Sequence, residues 1–126
     1  MSVLSAFNTQ LIAFFDELGQ VLPDERDIKM ANEAVKGARR INPRLILDLF
    51  YEHVHRDLHE AIKRKDIVSV QTIARIKIMN QFNEIMPALA IFDKHWAILT
   101  ESTQDAIWKY LQVLCILCEK ARASGS

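Results

Sequence analysis

The sequence predicts an all-α fold, a single bundle of about six helices with a central apolar helix at its C-terminal end. Three observations lead there. Half of the 126 residues are hydrophobic and they recur at intervals of three and four, the repeat of a helix with one buried face. Only 3 Gly and 3 Pro interrupt the chain, which excludes collagen-like, linker and low-complexity classes. No pair of segments alternates as two strands would, and a lone strand has nothing to bond with. A chain of this length is one domain that buries its own core without a disulfide or metal. Residues 1–121 are expected to form that domain and 122–126 a flexible tail.

Leu4, Phe7, Leu11, Phe14 and Leu18 are spaced 3, 4, 3, 4, with Ile12 and Phe15 widening the stripe, and Gly19 reads as a C-terminal stop. Leu22-Pro23-Asp24 is a turn. Asp24 is then the cap of a second helix from Glu25 to Arg40, acidic at its start and basic at its end as the helix dipole favours. Asn42-Pro43 opens a third helix to about Lys63, because Asn accepts from free N–H groups and Pro at the first position loses no bond. Leu47, Phe50, Val54, Leu58 and Ala61 form its buried face.

Asp66 caps a fourth helix to about Phe82. Ile67, Val70, Ala74, Ile78 and Ile85 share one side of it and Ile73 and Ile76 lie elsewhere, so burial on two sides is expected. Pro87 restarts a helix after Met86, with Leu89, Phe92, Trp96 and Leu99 buried. Ser102 and Asp105 read as a capping box for the last helix, which ends near Ala121. Its polar residues, Asp105, Lys109, Gln112 and Glu119, occupy one narrow stripe, so neighbours should enclose it.

Apolar runs are too short for a membrane span; the longest, Ile107 to Cys118, is broken by Lys109 and Gln112. The N-terminus lacks a basic n-region, so no signal peptide is expected and a reducing intracellular compartment follows. Cys115 and Cys118 form a C-x-x-C within the most apolar helix. A redox motif needs its first Cys exposed at a helix N-terminus, so free, inert thiols acting as small hydrophobes are expected instead.

Three groups of residues are candidate sites. His55 and His59 are one helical turn apart with Glu52 nearby, and imidazoles at i and i+4 can share a zinc ion. The order is not His-Glu-x-x-His, Arg56 and Lys63 would repel a cation, and a solvated face with Glu52 paired to Arg56 explains the same residues. No cofactor is expected. The second group is basic. The formal net charge is zero, yet residues 26–77 hold 12 Lys and Arg against 7 Asp and Glu. Lys36, Arg39, Arg40, Arg44, Lys63, Arg64 and Lys65 would attract a phosphate backbone. The same clusters sit at helix C-termini, where cations are favoured anyway, and the balanced total is unlike that of most nucleic-acid domains. Basic and acidic faces of adjacent copies docking together would use the same asymmetry. The third group is Tyr110 and Ile116, at the edge of and inside the polar stripe of the last helix, a pattern expected of an interface. Trp96 and Trp108 fall on core faces and read as packing.

No Gly-rich phosphate loop, Gly-x-Ser-x-Gly elbow or strand framework is present. The sequence therefore predicts no enzyme and no small-molecule substrate. It predicts a protein that binds another protein or itself, with nucleic acid as the alternative partner.

Five segments carry a family likeness: Phe7-Asn-Thr-Gln-Leu-Ile-Ala-Phe-Phe-Asp-Glu-Leu, Leu22-Pro-Asp-Glu-Arg-Asp-Ile-Lys, Asn42-Pro-Arg-Leu, Phe92-Asp-Lys-His-Trp-Ala-Ile-Leu and Ile107-Trp-Lys-Tyr-Leu-Gln-Val-Leu. Together they resemble small all-helical proteins of nucleocytoplasmic large DNA viruses of protists and algae. The likeness covers residues 7 to 120 and rests on core and cap positions. It implies a viral origin and a place in the virion or host-cell cytoplasm, and it brings no catalytic residues.

Overall fold

A computed structural model describes residues 2–80, 89 and 91–123, and these are helical nearly throughout, with no strand among them. Six helices form a bundle: α1 Val3–Val21, α2 Arg26–Ile41, α3 Leu45–Phe50, α4 Arg56–Arg64, α5 Ile67–Asn80 and α6 Glu101–Ala123. A π-helical turn, Tyr51–His55, joins α3 to α4 without a break. Within it the Arg56 N–H bonds the Tyr51 carbonyl five residues back, the wider ring that defines such a turn. A second π-helical segment, Ile91–His95, runs into a 3₁₀ turn, Trp96–Ile98.

The first stripe behaves as its spacing requires. Phe7, Leu11, Phe14, Phe15 and Leu18 are buried, and Leu4 and Ile12 pack partly against the core. Gly19 does not stop α1. The helix runs through it to Val21, and Leu22 closes it with a backbone bond to the Leu18 carbonyl; Pro23 cannot continue the ladder. The cap of α2 is Glu25, not Asp24: its carboxylate accepts from the Asp27 N–H at 3.3 Å.

Asn42 serves two helices. Its N–H bonds the Ala38 carbonyl and closes α2, while its side-chain oxygen accepts from the Arg44 N–H at 3.1 Å. That is the expected capping bond, although regular helix begins only at Leu45. Leu47, Phe50, Val54, Leu58 and Ala61 are all buried. Lys65, with φ 57°, ends α4 in the left-handed conformation, and Asp66 donates its N–H to the Ala61 carbonyl at 2.8 Å. Asp66 then caps α5, accepting from the N–H and hydroxyl of Ser69.

Burial of α5 on two sides is not observed. Val70 and Ala74 face the core, but Val68, Ile76 and Met79 are exposed. The inner face also holds a lysine that the apolar pattern missed: Lys77 is buried and pairs with Asp57 of α4. The side chain of Ile78, Ile85 and the restart at Met86-Pro87 lie outside the described residues. Leu89, Phe92, Trp96 and Leu99 are buried as expected, although the backbone that carries the last three is not regular α-helix.

Thr100, not Ser102, caps α6. The Thr103 N–H donates to its hydroxyl at 3.2 Å and the Gln104 N–H to its carbonyl at 2.9 Å, which puts Ser102 and Asp105 inside the helix. The helix extends to Ala123, so Arg122 and Ala123 belong to it; residues 124–126 of the expected tail lie outside the described residues. α6 is covered along one side and not enclosed by its neighbours as its narrow polar stripe led one to expect. It packs most extensively on α1 and also meets α4 and the π turn, while α4 lies between α5 and α6. Its outer edge stays open at Asp105, Lys109, Val113 and Ile116. Aromatic rings tie these layers together, Phe7 edge-on to Phe50 at 5.2 Å and Trp96 edge-on to Trp108 at 5.2 Å, the arrangement favoured by their quadrupoles.

Candidate functional site

Three of the sequence candidates, His59, Lys63 and Ile116, come together in a groove of about 540 Å³ between α4 and α6. Residues at steps of three and four face the same way on each helix, so His59 stands over both Ile62 and Lys63, and Gln112, Cys115 and Glu119 lie along the facing wall. The floor is apolar, since Ile62 and Cys115 are buried. Gln112 fixes the spacing of the walls by donating from Nε2 to the Ile62 carbonyl at 3.3 Å.

The imidazoles organise the rim. The rings of His55 and His59 stack at 4.6 Å, 5° from parallel, and Tyr51 stacks on the other face of His55 at 5.5 Å. The Arg122 guanidinium covers the Tyr51 ring at 3.6 Å, a cation–π contact. His55 Nε2 lies 2.8 Å from Glu119 Oε1. His59 Nδ1–H donates to the His55 carbonyl at 2.7 Å, and its Nε2 lies 3.2 Å from Glu60 Oε1.

This geometry does not build a metal centre from Glu52, His55 and His59. Parallel stacked rings aim their in-plane lone pairs side by side rather than at one point, and a chelate needs them to converge. Glu52 stays exposed, and it forms no ion pair with Arg56, the simpler pairing expected of them. Among the described residues no three His, Cys, Asp or Glu side chains group so as to hold an ion.

The cysteines are free and buried. Burial, with the nearby Cys118 and Glu119 charges, pushes the Cys115 thiol up to about 12. Burial does the same to Cys118, also to about 12, against the opposing pull of Arg122. The C-x-x-C therefore supplies no thiolate near neutral pH.

The basic candidates do not form one surface. α3, the π turn and α4 make a continuous rod with Arg44 at one end and Lys63, Arg64 and Lys65 at the other, roughly 30 Å apart at 1.5 Å per residue. That is about three Debye lengths at moderate salt. Two of these cations are also offset locally: Lys36 pairs with Asp16 at 3.3 Å and Arg44 with Asp48 at 3.7 Å. Arg39 and Arg40 remain exposed at the end of α2.

Tyr110 and Ile116 separate in role. Tyr110 packs its ring on Phe14 at 5.3 Å. Its hydroxyl bonds Glu17, which together with burial raises its pKa above the ordinary value of 10.0. Tyr110 thus belongs to the α1–α6 contact. Ile116 is 51 % exposed and opens onto the groove.

Two polar features had no sequence signal. His95 bonds the Glu25 carboxylate at 2.5 Å, Lys94 lies near Asp27 at 3.6 Å, and Asp93 meets Arg75 of α5. The second π segment is thereby tethered to both α2 and α5. Asn8, buried on the core side of α1, donates to the Pro43 carbonyl at 2.8 Å and locks α1 to the α2–α3 turn.

No family model, curated protein or solved structure matches the chain. No helix among the described residues is long and apolar enough to cross a membrane.

Proposed function

We propose that this chain is a non-enzymatic, virus-encoded helical protein that acts by binding another protein, as a virion component or an accessory factor in the infected cell. The observation that carries this reading is the outer face of α5. Val68, Ile76 and Met79 are 69 %, 55 % and 83 % exposed and fall on one side of the helix, with Thr72 exposed between them and Arg75, paired with Asp93, at the edge beside Val68. An apolar stripe on a regular helix is costly to leave in water and is a common means of helix-to-helix recognition. The same helix is anchored from behind by its Asp66 cap and the Lys77–Asp57 pair, so the stripe is presented on a fixed element. The likeness of the core and cap segments to large DNA virus proteins supports the viral part of the reading.

Mass spectrometry of purified particles, paired with affinity recovery from infected-cell lysate, tests the proposal. The expected result is either a packaged protein or a defined complex retained by the wild type and lost by an Ile76→Glu, Met79→Glu variant. A chain absent from particles, whose complexes are indifferent to that variant, would refute it.

A further inference from the structure

We propose that the α4–α6 groove binds a guanine nucleotide, with the base stacked on His59. Four side chains are piled face to face along the rod, in the order Arg122, Tyr51, His55 and His59. The Arg122 guanidinium closes the pile at one end, and the His59 ring is its other end. One face of that ring is covered by His55 at 4.6 Å, and its plane is fixed by the bond from Nδ1 to the His55 carbonyl. The side chain is still 36 % exposed and lines the groove, so its remaining face is turned to that space. Tyr51 and His55 belong to the π turn, a departure from regular helix that frequently marks a functional site.

A free aromatic face selects a planar ring, and the polar groups around it select which one. Glu60 Oε1 lies 3.2 Å from the edge nitrogen Nε2 of His59, so a base stacked on that ring brings one of its own edges to the Glu60 carboxylate. A carboxylate only accepts, and it accepts two bonds side by side. Guanine presents N1–H and its amino group side by side. Adenine sets a lone pair next to its amino group, which a carboxylate repels.

The phosphate is accommodated one turn further on. Lys63 lines the groove, about 6 Å along the helix from His59 at 1.5 Å per residue, and Arg64 and Lys65 stand exposed just beyond it. Clustered cations raise the local potential for an anion. The second carboxylate of the lining, Glu119, lies at the opposite end. α6 runs antiparallel to α4 here, since Glu119 meets His55 while Gln112 meets the Ile62 carbonyl. Ile62 and Cys115, both buried, give the base and sugar an apolar floor. A volume of about 540 Å³ falls within the range of small-molecule sites, and a ring already held in place removes part of the ordering cost of binding.

Calorimetric titration with guanosine monophosphate tests this, with adenosine monophosphate, guanosine, inorganic phosphate and a single-stranded oligonucleotide as comparisons. Guanosine monophosphate is expected to bind at one site, adenosine monophosphate and guanosine about ten-fold or more weakly, and inorganic phosphate not at all. His59→Ala should weaken binding about ten-fold or more, the loss typical of a stacked base, and His59→Phe, which keeps an aromatic face, should restore most of it. Glu60→Gln should narrow the preference for guanine over adenine, and Lys63→Ala the preference for the monophosphate over guanosine. Glu60 and Lys63 are both exposed, so these two variants read the site in an intact bundle. Failure of guanosine monophosphate to bind, or binding indifferent to His59→Ala, would overturn the assignment. So would equal affinity for the two monophosphates, or an oligonucleotide bound more tightly than either, which would make the groove a site for single-stranded nucleic acid. The inference does not rest on the α5 stripe, and its failure leaves that reading standing.

Discussion

Lys65 shows how much one backbone angle carries. It ends α4 at φ 57°, a conformation that costs a non-glycine residue about 1 kcal/mol or more through its Cβ. Lys65→Gly should therefore raise the stability measured by urea unfolding by about 1 kcal/mol, with no change in helix content by circular dichroism. Asn8 is the opposite case. Its amide donates to the carbonyl of the exposed Pro43, while its own Oδ1 is buried with no partner, so Asn8→Ala should cost only about 0.5–1.5 kcal/mol by the same measurement, the net worth of one hydrogen bond. The thiols Cys115 and Cys118, pushed up to about 12, should not react with an alkylating reagent at pH 8 in the native protein. Both should react promptly once the chain is denatured. Labelling of either thiol in the native state would contradict their burial.

Hydrogen-bonded carboxylates set the acid-side behaviour of the elements. Three carboxylates sit below their ordinary values. Asp16 is lowered chiefly by the Asn32 amide, with Lys36 helping against burial. For Glu25 burial opposes the shift, but the Asp27 N–H, His95 and Lys94 outweigh it. Asp66 is lowered mainly by the Ser69 hydroxyl and N–H. A depressed carboxylate adds stability that is complete above its unfolded value and lost as pH falls through the folded one. The ordinary values are 3.8 for Asp and 4.5 for Glu. The thiols have the opposite sign. They keep their protons when folded but ionise from 9.0 upward when unfolded, so their contribution is lost on the alkaline side. The melting temperature should be level between about pH 5 and pH 9 and fall on both flanks. A steady rise in melting temperature from pH 5 down to pH 3 would contradict the acid limb.

At the scale of the whole molecule, charge placement matters more than charge total. The basic groups lie at two ends of one rod, and Asp16 and Asp48 offset Lys36 and Arg44. Retention on heparin should be weak and gone by about physiological salt, where the Debye length is about 8 Å. A protein with one continuous phosphate-binding face would instead stay bound and elute with a steep salt dependence. Elution well above that salt would show that the two clusters act together.

The fold class was legible from the residues alone because apolar spacing is a local property: burial of one face follows from the 3–4 repeat whichever neighbour covers it. Leu47 to Ala61 and Leu89 to Leu99 carried their burial in their spacing, and Asn42 and Asp66 their caps in their side-chain chemistry. Termini at Gly19, Asp24 and Ser102 were misplaced, since several residues near a helix end can cap and only the path of the chain selects among them. The candidate site was legible only in pieces. His59, Lys63 and Ile116 stood out singly, for three different reasons, while the π turn, the Lys77–Asp57 pair, the His95–Glu25 bond and the carboxylate-lipped groove left no mark in any local pattern. Each joins residues tens of positions apart or trades a regular backbone for a packing fit. The choice is made by which helices touch, and helix contacts depend on the whole chain at once.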